Sequence, residues 1–169
     1  MERNKNIFLI GFMGCGKSTM ARMLATELSM ELIEMDETIE KEENRTINEI
    51  FATDGEQYFR DLESALIVRI GEKGNGIVSC GGGAILREEN VVNMKKNGKV
   101  IYLEATPETI FERVRYSTNR PLLNGNMNVE YICELMSKRV DKYKQAADVI
   151  LSVDGKTKDA IVQEIKLLV

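Results

Sequence analysis

Histidine is absent from the 169 residues, and that one gap excludes a good deal. Ser–His–Asp triads, imidazole zinc sites and the commonest general base of enzymes are all unavailable. Acid–base chemistry must fall to carboxylates, lysine, tyrosine or cysteine. Cysteine itself is scarce: Cys15, Cys80 and Cys133 lie far apart and form no C-x-x-C. Neither a disulfide framework nor a zinc site is expected from them. No apolar run approaches the roughly 20 residues that cross a bilayer. Met1 to Lys5 lead into the first apolar segment without a secretory core, so the expectation is a cytoplasmic protein with no membrane partner. Basic residues are not in surplus, the net charge being −4, and the sparse aromatics offer no stacking platform. Nucleic acid is therefore not an expected partner.

What is present points to one soluble domain spanning 1–169. An apolar fraction of 43% with 30% charged residues suits a globular chain large enough to bury a sizeable core. The most informative stretch is Ile7 to Thr19. A short apolar run stops at Gly11, and Gly16-Lys17-Ser18-Thr19 then opens a helical pattern. This is G-x-x-x-x-G-K-[ST] in its required setting, strand before and helix after. Glycines at 11, 14 and 16 let successive N–H groups point at one anion, and the helix N-terminus adds its partial positive charge. Lys17 can reach the β- and γ-phosphates, and the Ser18 hydroxyl is placed to ligate Mg²⁺. Gly11, Met13, Gly14, Cys15, Gly16, Lys17, Ser18 and Thr19 are the candidate nucleotide-binding residues, with ATP and Mg²⁺ as ligands.

Strands and helices alternate along the rest of the chain. Strands are expected at 31–36, 76–80, 99–104 and 148–153, and helices at 20–28, 88–97, from Thr106-Pro107 onward, 129–147 and 159–168. The stretch 37–72 reads as helical throughout, with a capping box at Thr46 and Glu49 and a division at Gly55. Such alternation means a parallel sheet covered on both faces, with ligands at the carboxyl ends of its strands. The helical stretch 37–72 is then an insertion suited to hold a second substrate. The polar, turn-rich stretch 116–128 is long enough to be a functional loop.

Several residues stand where chemistry is needed. Asp36 ends the second apolar run beside the phosphate loop, where its carboxylate can orient or deprotonate a substrate hydroxyl; the alternative is a helix cap. Arg60 and Glu63 are one helical turn apart, so the acid can hold the guanidinium in one rotamer; the alternative is a surface ion pair worth little. Gly81-Gly82-Gly83 directly follow a strand, as either a sharp turn or a close approach to a ligand. Arg120 lies in the 116–128 loop, where a closing lid could bring positive charge to a moving phosphoryl group or leave it solvated. Cys15, inside the phosphate loop, is either a small filler or a thiol whose alkylation would inhibit and ATP would prevent. Asp154, after the last strand, looks like a metal-associated acid; a sheet order that puts that strand at the edge would set it away from the phosphate loop.

Beyond the phosphate loop, Phe51 to Arg60 with Glu63, Gly81-Gly82-Gly83-Ala84 and Arg120-Pro121-Leu122-Leu123 occur in an order that resembles shikimate kinase over nearly the full length. The resemblance implies a three-layer α/β P-loop kinase fold with a five-stranded parallel sheet in the order 2-3-1-4-5. It implies transfer of the ATP γ-phosphoryl group to the 3-hydroxyl of shikimate, in aromatic amino-acid biosynthesis, by a monomer. Asp36, Lys17 and Arg120 would be catalytic. Asp36, Arg60, Gly81, Gly82, Gly83 and Arg139 would bind shikimate, with Glu63 supporting Arg60, and Arg113 would stack on adenine. The family's Asp-x-Asp is Glu34-Met35-Asp36 here, which makes Glu34 a water-mediated contact to the metal alongside Ser18. The proline that the family sets against adenine is missing from 154–158. A kinase for another hydroxy acid such as gluconate, or a nucleotide-dependent binding module, are the competing readings; no N-K-x-D guanine motif supports the latter.

Overall fold

The computed structural model describes residues 5–115 and 128–169; Arg120 and nearly all of the 116–128 loop fall outside them. Five strands build one sheet: β1 (Asn6–Ile10), β2 (Glu31–Glu34), β3 (Gly76–Ser79), β4 (Gly98–Glu104) and β5 (Val149–Ser152). They are all parallel and ordered β2-β3-β1-β4-β5. The expected order 2-3-1-4-5 is thus the observed one. Every residue of β1 and β3 is buried, as a strand covered on both faces must be. The register sets Phe8 beside Val78 and Val100, at the centre of the core.

The covering helices are α1 (Lys17–Leu28), α2 (Met35–Glu43), α3 (Ile47–Lys73), α4 (Glu88–Asn97), α5 (Pro107–Val114), α6 (Val129–Ser137), α7 (Val140–Ala146) and α8 (Lys158–Leu168). Local signals decide many of the boundaries. The Thr46 hydroxyl accepts from the Glu49 N–H at 3.2 Å, and the Glu49 carboxylate accepts from the Thr46 N–H at 2.9 Å. Both halves of the capping box are therefore made, and they start α3. Gly55, at φ 86° and ψ 170°, kinks that helix, because such backbone angles leave the helical region. Thr106 caps α5 by accepting from the Thr109 N–H, with Pro107 at its first position, where a missing N–H costs nothing.

Asn6 ties the start of the sheet to the insertion. Its side chain, 1% exposed, donates to the carbonyls of Ile70 and Asn97 and accepts from the Gly76 N–H. One amide thus joins β1 to the ends of α3 and α4 and to the start of β3, and its polar atoms are satisfied in the interior.

Two expectations are corrected. The strand expected over 31–36 ends at Glu34, and Asp36 lies in the first turn of α2, where an acid complements the helix dipole. The helix expected over 129–147 breaks between α6 and α7. Arg139 sits in the gap at φ −120° and its N–H turns back to the Met136 carbonyl at 2.9 Å, a tight i→i+3 turn that re-aims the chain.

Candidate active site

The loop between β1 and α1 has the backbone that an anion cradle needs. Gly14 and Gly16 stand at φ 80° and 103°, conformations that side chains disfavour. A Cβ on Gly14 would come within 2.6 Å of Val114 Cγ1, and one on Gly11 within 2.7 Å of Cys15 Sγ, so the loop is also too tightly packed for larger residues. Gly16 caps α1 without any side-chain hydrogen bond, and the first turn of α1 carries no acid. The positive end of that helix is therefore offered to a ligand and not neutralised by the chain. Lys17 Nζ folds back and donates to the carbonyls of Gly11 at 2.6 Å and Phe12 at 3.1 Å, a position above the loop from which it can turn to phosphate oxygens.

One cavity of about 430 Å³ holds this loop together with Glu34, Asp36, Ser79, Gly81, Gly82, Arg113 and Lys158. The phosphate loop and Asp36, expected to meet at the carboxyl ends of the strands, do share this space. Ser18 Oγ and Ser79 Oγ stand 3.4 Å apart within it. Among the described residues no group of three or more Cys, Asp or Glu side chains could hold a metal unaided. A hydroxyl pair flanked by carboxylates nevertheless fits Mg²⁺, which keeps waters and shares its sphere with substrate phosphates instead of a protein cage. Ser79 was not singled out in the sequence, where it reads only as the end of a buried strand.

The three glycines after β3 are explained one at a time by what stands where a Cβ would be. At Gly81 it would lie 2.8 Å from Glu63 Oε2 and 2.9 Å from Asp36 Oδ1; at Gly82, 3.4 Å from Arg139 Nη1; at Gly83, 2.5 and 2.6 Å from the two terminal nitrogens of Arg60. The run is therefore a seam along which two acids and two arginines approach the backbone. A short 3₁₀ turn, Ala84–Leu86, closes it. Arg60, Gly83 and Arg139 do not line the cavity itself; they continue from it along this seam.

Arg60 Nη1 donates to Glu63 Oε1 at 2.7 Å and Nη2 to Glu56 Oε1 at 3.1 Å. Burial works against the guanidinium charge, and the charges and hydrogen bonds of Glu63 and Glu56 together outweigh it, raising the Arg60 pKa. Burial also pushes the Glu63 carboxyl upward; Arg60 pulls it down, Asp36 adds to the rise, and Arg139 opposes it. The ion pair expected from spacing is present, and it is interior, with the Glu63 side chain 0% exposed.

Other expectations fare differently. Arg113 lies at the cavity, but its Nη1 donates to the Cys15 carbonyl at 2.7 Å, bracing the phosphate loop from α5. Lys158 and Ile161 of α8 also line the cavity, and 154–158 carries no proline. Cys15 is 1% exposed and packs inside the loop, which favours the filler of its two readings. Asp154 accepts from the Thr106 N–H at 3.2 Å at the β5 edge of the sheet, a structural tie away from the phosphate loop. Arg120 lies outside the described residues.

Comparison with known proteins agrees with this arrangement. A family model described as shikimate kinase matches residues 13–169. The shikimate kinase of Persephonella marina is 46% identical over 161 residues, covering 95% of this chain and 96% of the relative. That of Thermodesulfovibrio yellowstonii is 40% identical over 161 residues, covering 95% and 92%. The structure of shikimate kinase from Acinetobacter baumannii in complex with shikimate aligns with a TM-score of 0.90 at 31% identity, covering 98% of this chain and 92% of that one.

Proposed function

The chain belongs to the shikimate kinase family, and on that premise we propose how its residues divide the transfer of the ATP γ-phosphoryl group to the 3-hydroxyl of shikimate. The observation that carries this division is that the phosphate loop, Asp36 and the first two glycines of the seam line the same cavity.

The N–H groups of Gly14 to Thr19 and the Lys17 ammonium hold the β- and γ-phosphates and follow the charge that develops as the Pγ–O bond to ADP breaks. Ser18 would hold Mg²⁺ and Glu34 would support it through water. The ion neutralises phosphate charge when bound. Arg60 and Arg139 grip the shikimate carboxylate with paired N–H donors, which lysine cannot supply. Gly81, Gly82 and Gly83 let the ring lie against the backbone. Asp36 orients the 3-hydroxyl and takes its proton as the new O–P bond forms. Arg120 closes over the transferring group, and Arg113 serves the adenine side while bracing the loop. This reading extends to a single-domain, monomeric cytoplasmic enzyme that needs no nucleic acid.

The test is a coupled ADP-release assay with shikimate, with gluconate and with no acceptor. ADP formation that depends on shikimate is expected. ADP released without an acceptor, or with gluconate alone, overturns the reading.

A further inference from the structure

Tyr143 has no part in the division above, yet its hydroxyl joins two of the groups that do. It donates to the Gly82 carbonyl at 2.6 Å, and the Arg139 guanidinium stands at the same place: a Cβ on Gly82 would lie 3.7 Å from Tyr143 Oη and 3.4 Å from Arg139 Nη1. The ring is 1% exposed and stacks on Tyr102 with centroids 5.1 Å apart and planes 18° from parallel. Packing therefore sets the ring's direction, and with it the place of the hydroxyl. Burial pushes the phenol up to about 12 against the opposing pull of Arg139, so the group keeps its proton, and its capacity to donate, throughout the neutral range.

The consequence runs through one peptide plane. The Gly82 C=O and the Gly83 N–H are opposite ends of the same rigid amide, so fixing the carbonyl fixes the direction of the N–H. Gly82 lines the cavity, and Gly83 is the position against which the Arg60 guanidinium packs. We propose that Tyr143 is a positioning residue for the acceptor side, its hydroxyl setting the Gly82–Gly83 peptide and the Arg139 guanidinium relative to one another. A glycine run has little intrinsic preference for one peptide orientation, and an arginine has many rotamers. A buried hydroxyl bonded to the peptide and seated beside the guanidinium narrows that freedom before the substrate arrives. The inference rests on the reading of Gly82, Gly83 and Arg139 as acceptor-binding residues.

Tyr143→Phe tests it, since the ring and its stack on Tyr102 are retained and the hydroxyl alone is lost. Steady-state kinetics with each substrate varied should show the KM for shikimate raised about five- to tenfold, the order of one lost hydrogen bond, and the KM for ATP within twofold of wild type. A shikimate KM within twofold of wild type, or an ATP KM moved beyond twofold, overturns the proposal. Wild-type enzyme that releases no ADP with shikimate overturns the functional reading itself, and the inference with it; normal wild-type activity with an unaffected Tyr143→Phe overturns the inference alone. Arg139→Lys gives an independent measurement. The Gly83 amide resonance should move in that variant through Tyr143, and an unmoved resonance overturns the coupling.

Discussion

Arg60 and Glu63 form an ion pair in the protein interior, Nη1 to Oε1 at 2.7 Å, with the acid wholly enclosed and the arginine side chain 14% exposed. Oε1 is committed to Arg60, while Oε2 has no hydrogen-bond partner among the described residues and faces the space that a Gly81 side chain would occupy. An interior pair of this kind is weak support for stability, because desolvation offsets much of the attraction. Its use is geometric: it fixes a guanidinium at the edge of the glycine seam. Arg60→Lys should then raise the KM for shikimate about tenfold or more, since a charge-assisted pair of hydrogen bonds contributes about 1.5–3 kcal/mol, and leave the KM for ATP unchanged. Initial-rate measurements with each substrate varied check this, and a parallel loss of ATP affinity would contradict it.

The same pair gives stability a pH dependence of known sign. Burial raises the Glu63 pKa above 4.5 in the folded protein. The folded state then binds the proton more tightly than the unfolded one, so this group's contribution is full below pH 4.5 and declines as pH rises through the raised value. Glu63→Gln cannot ionise and lacks that decline. Thermal unfolding of both proteins from pH 4 to 7 should show wild type losing ground to Glu63→Gln as pH rises. A difference that grows in favour of wild type would reverse the assignment.

How far these relations were legible depends on their range along the chain. The Thr46 capping box, the kink at Gly55 and α4 over Glu88–Asn97 are encoded within a few residues of where they act, and they read correctly. The break at Arg139 is marked by no Gly or Pro between Met136 and Val140, and an uninterrupted helical pattern hides it. Tyr143 itself stands between Lys142 and Lys144, and charged neighbours suggest a solvated face; its burial comes from the stack on Tyr102. The glycine run could be recognised as unusual, but which side chain displaces each Cβ could not, because Asp36, Glu63, Arg60 and Arg139 reach it from α2, from α3 and from the turn between α6 and α7.

That seam allows two glycines to be separated by function. In Gly83→Ala the new methyl would stand 2.5 Å from Arg60 Nη1, so the guanidinium must move and the KM for shikimate should rise about tenfold. In Gly81→Ala the methyl would stand 2.9 Å from Asp36 Oδ1 and 2.8 Å from Glu63 Oε2. If Asp36 handles the acceptor hydroxyl as proposed, displacing it should lower kcat roughly 10²-fold, within the range for general acid–base catalysis. The split between KM and kcat checks both, and identical profiles for the two variants would show that the seam acts as one unit.

Lys17 and Arg120 should separate from Arg60 and Gly83 by acting on kcat and not on the KM for shikimate. Lys17→Ala removes the charge proposed to turn to the transferring group and should cost about 10²-fold or more in kcat, as losses of preorganised donors do. Arg120→Ala should cost roughly 10³-fold if it meets the transition state as arginine fingers do. Single-turnover phosphoryl transfer to shikimate measures both directly. An unchanged rate in Arg120→Ala would make that residue a bystander.

Thiol chemistry distinguishes the buried loop cysteine from a reactive one. Cys15 and Cys80 are buried and Cys133 is exposed, and burial drives the Cys80 thiol further from ionisation. Reaction rate follows the accessible thiolate, so a thiol reagent should modify Cys133 quickly in the folded protein and reach Cys15 and Cys80 only after denaturation. Cys133 lies on α6, which lines no part of the cavity, so the singly modified protein should keep its activity. ATP should leave the labelling rate unchanged, because the loop thiol is already enclosed without it: its Sγ is 2.7 Å from where a Gly11 Cβ would stand and 3.9 Å from Lys17 Nζ. Mass spectrometry of the labelled peptides, paired with activity, checks all of this. Rapid labelling of Cys15 that ATP suppresses would mean that the phosphate loop opens far enough, between turnovers, to expose its own interior.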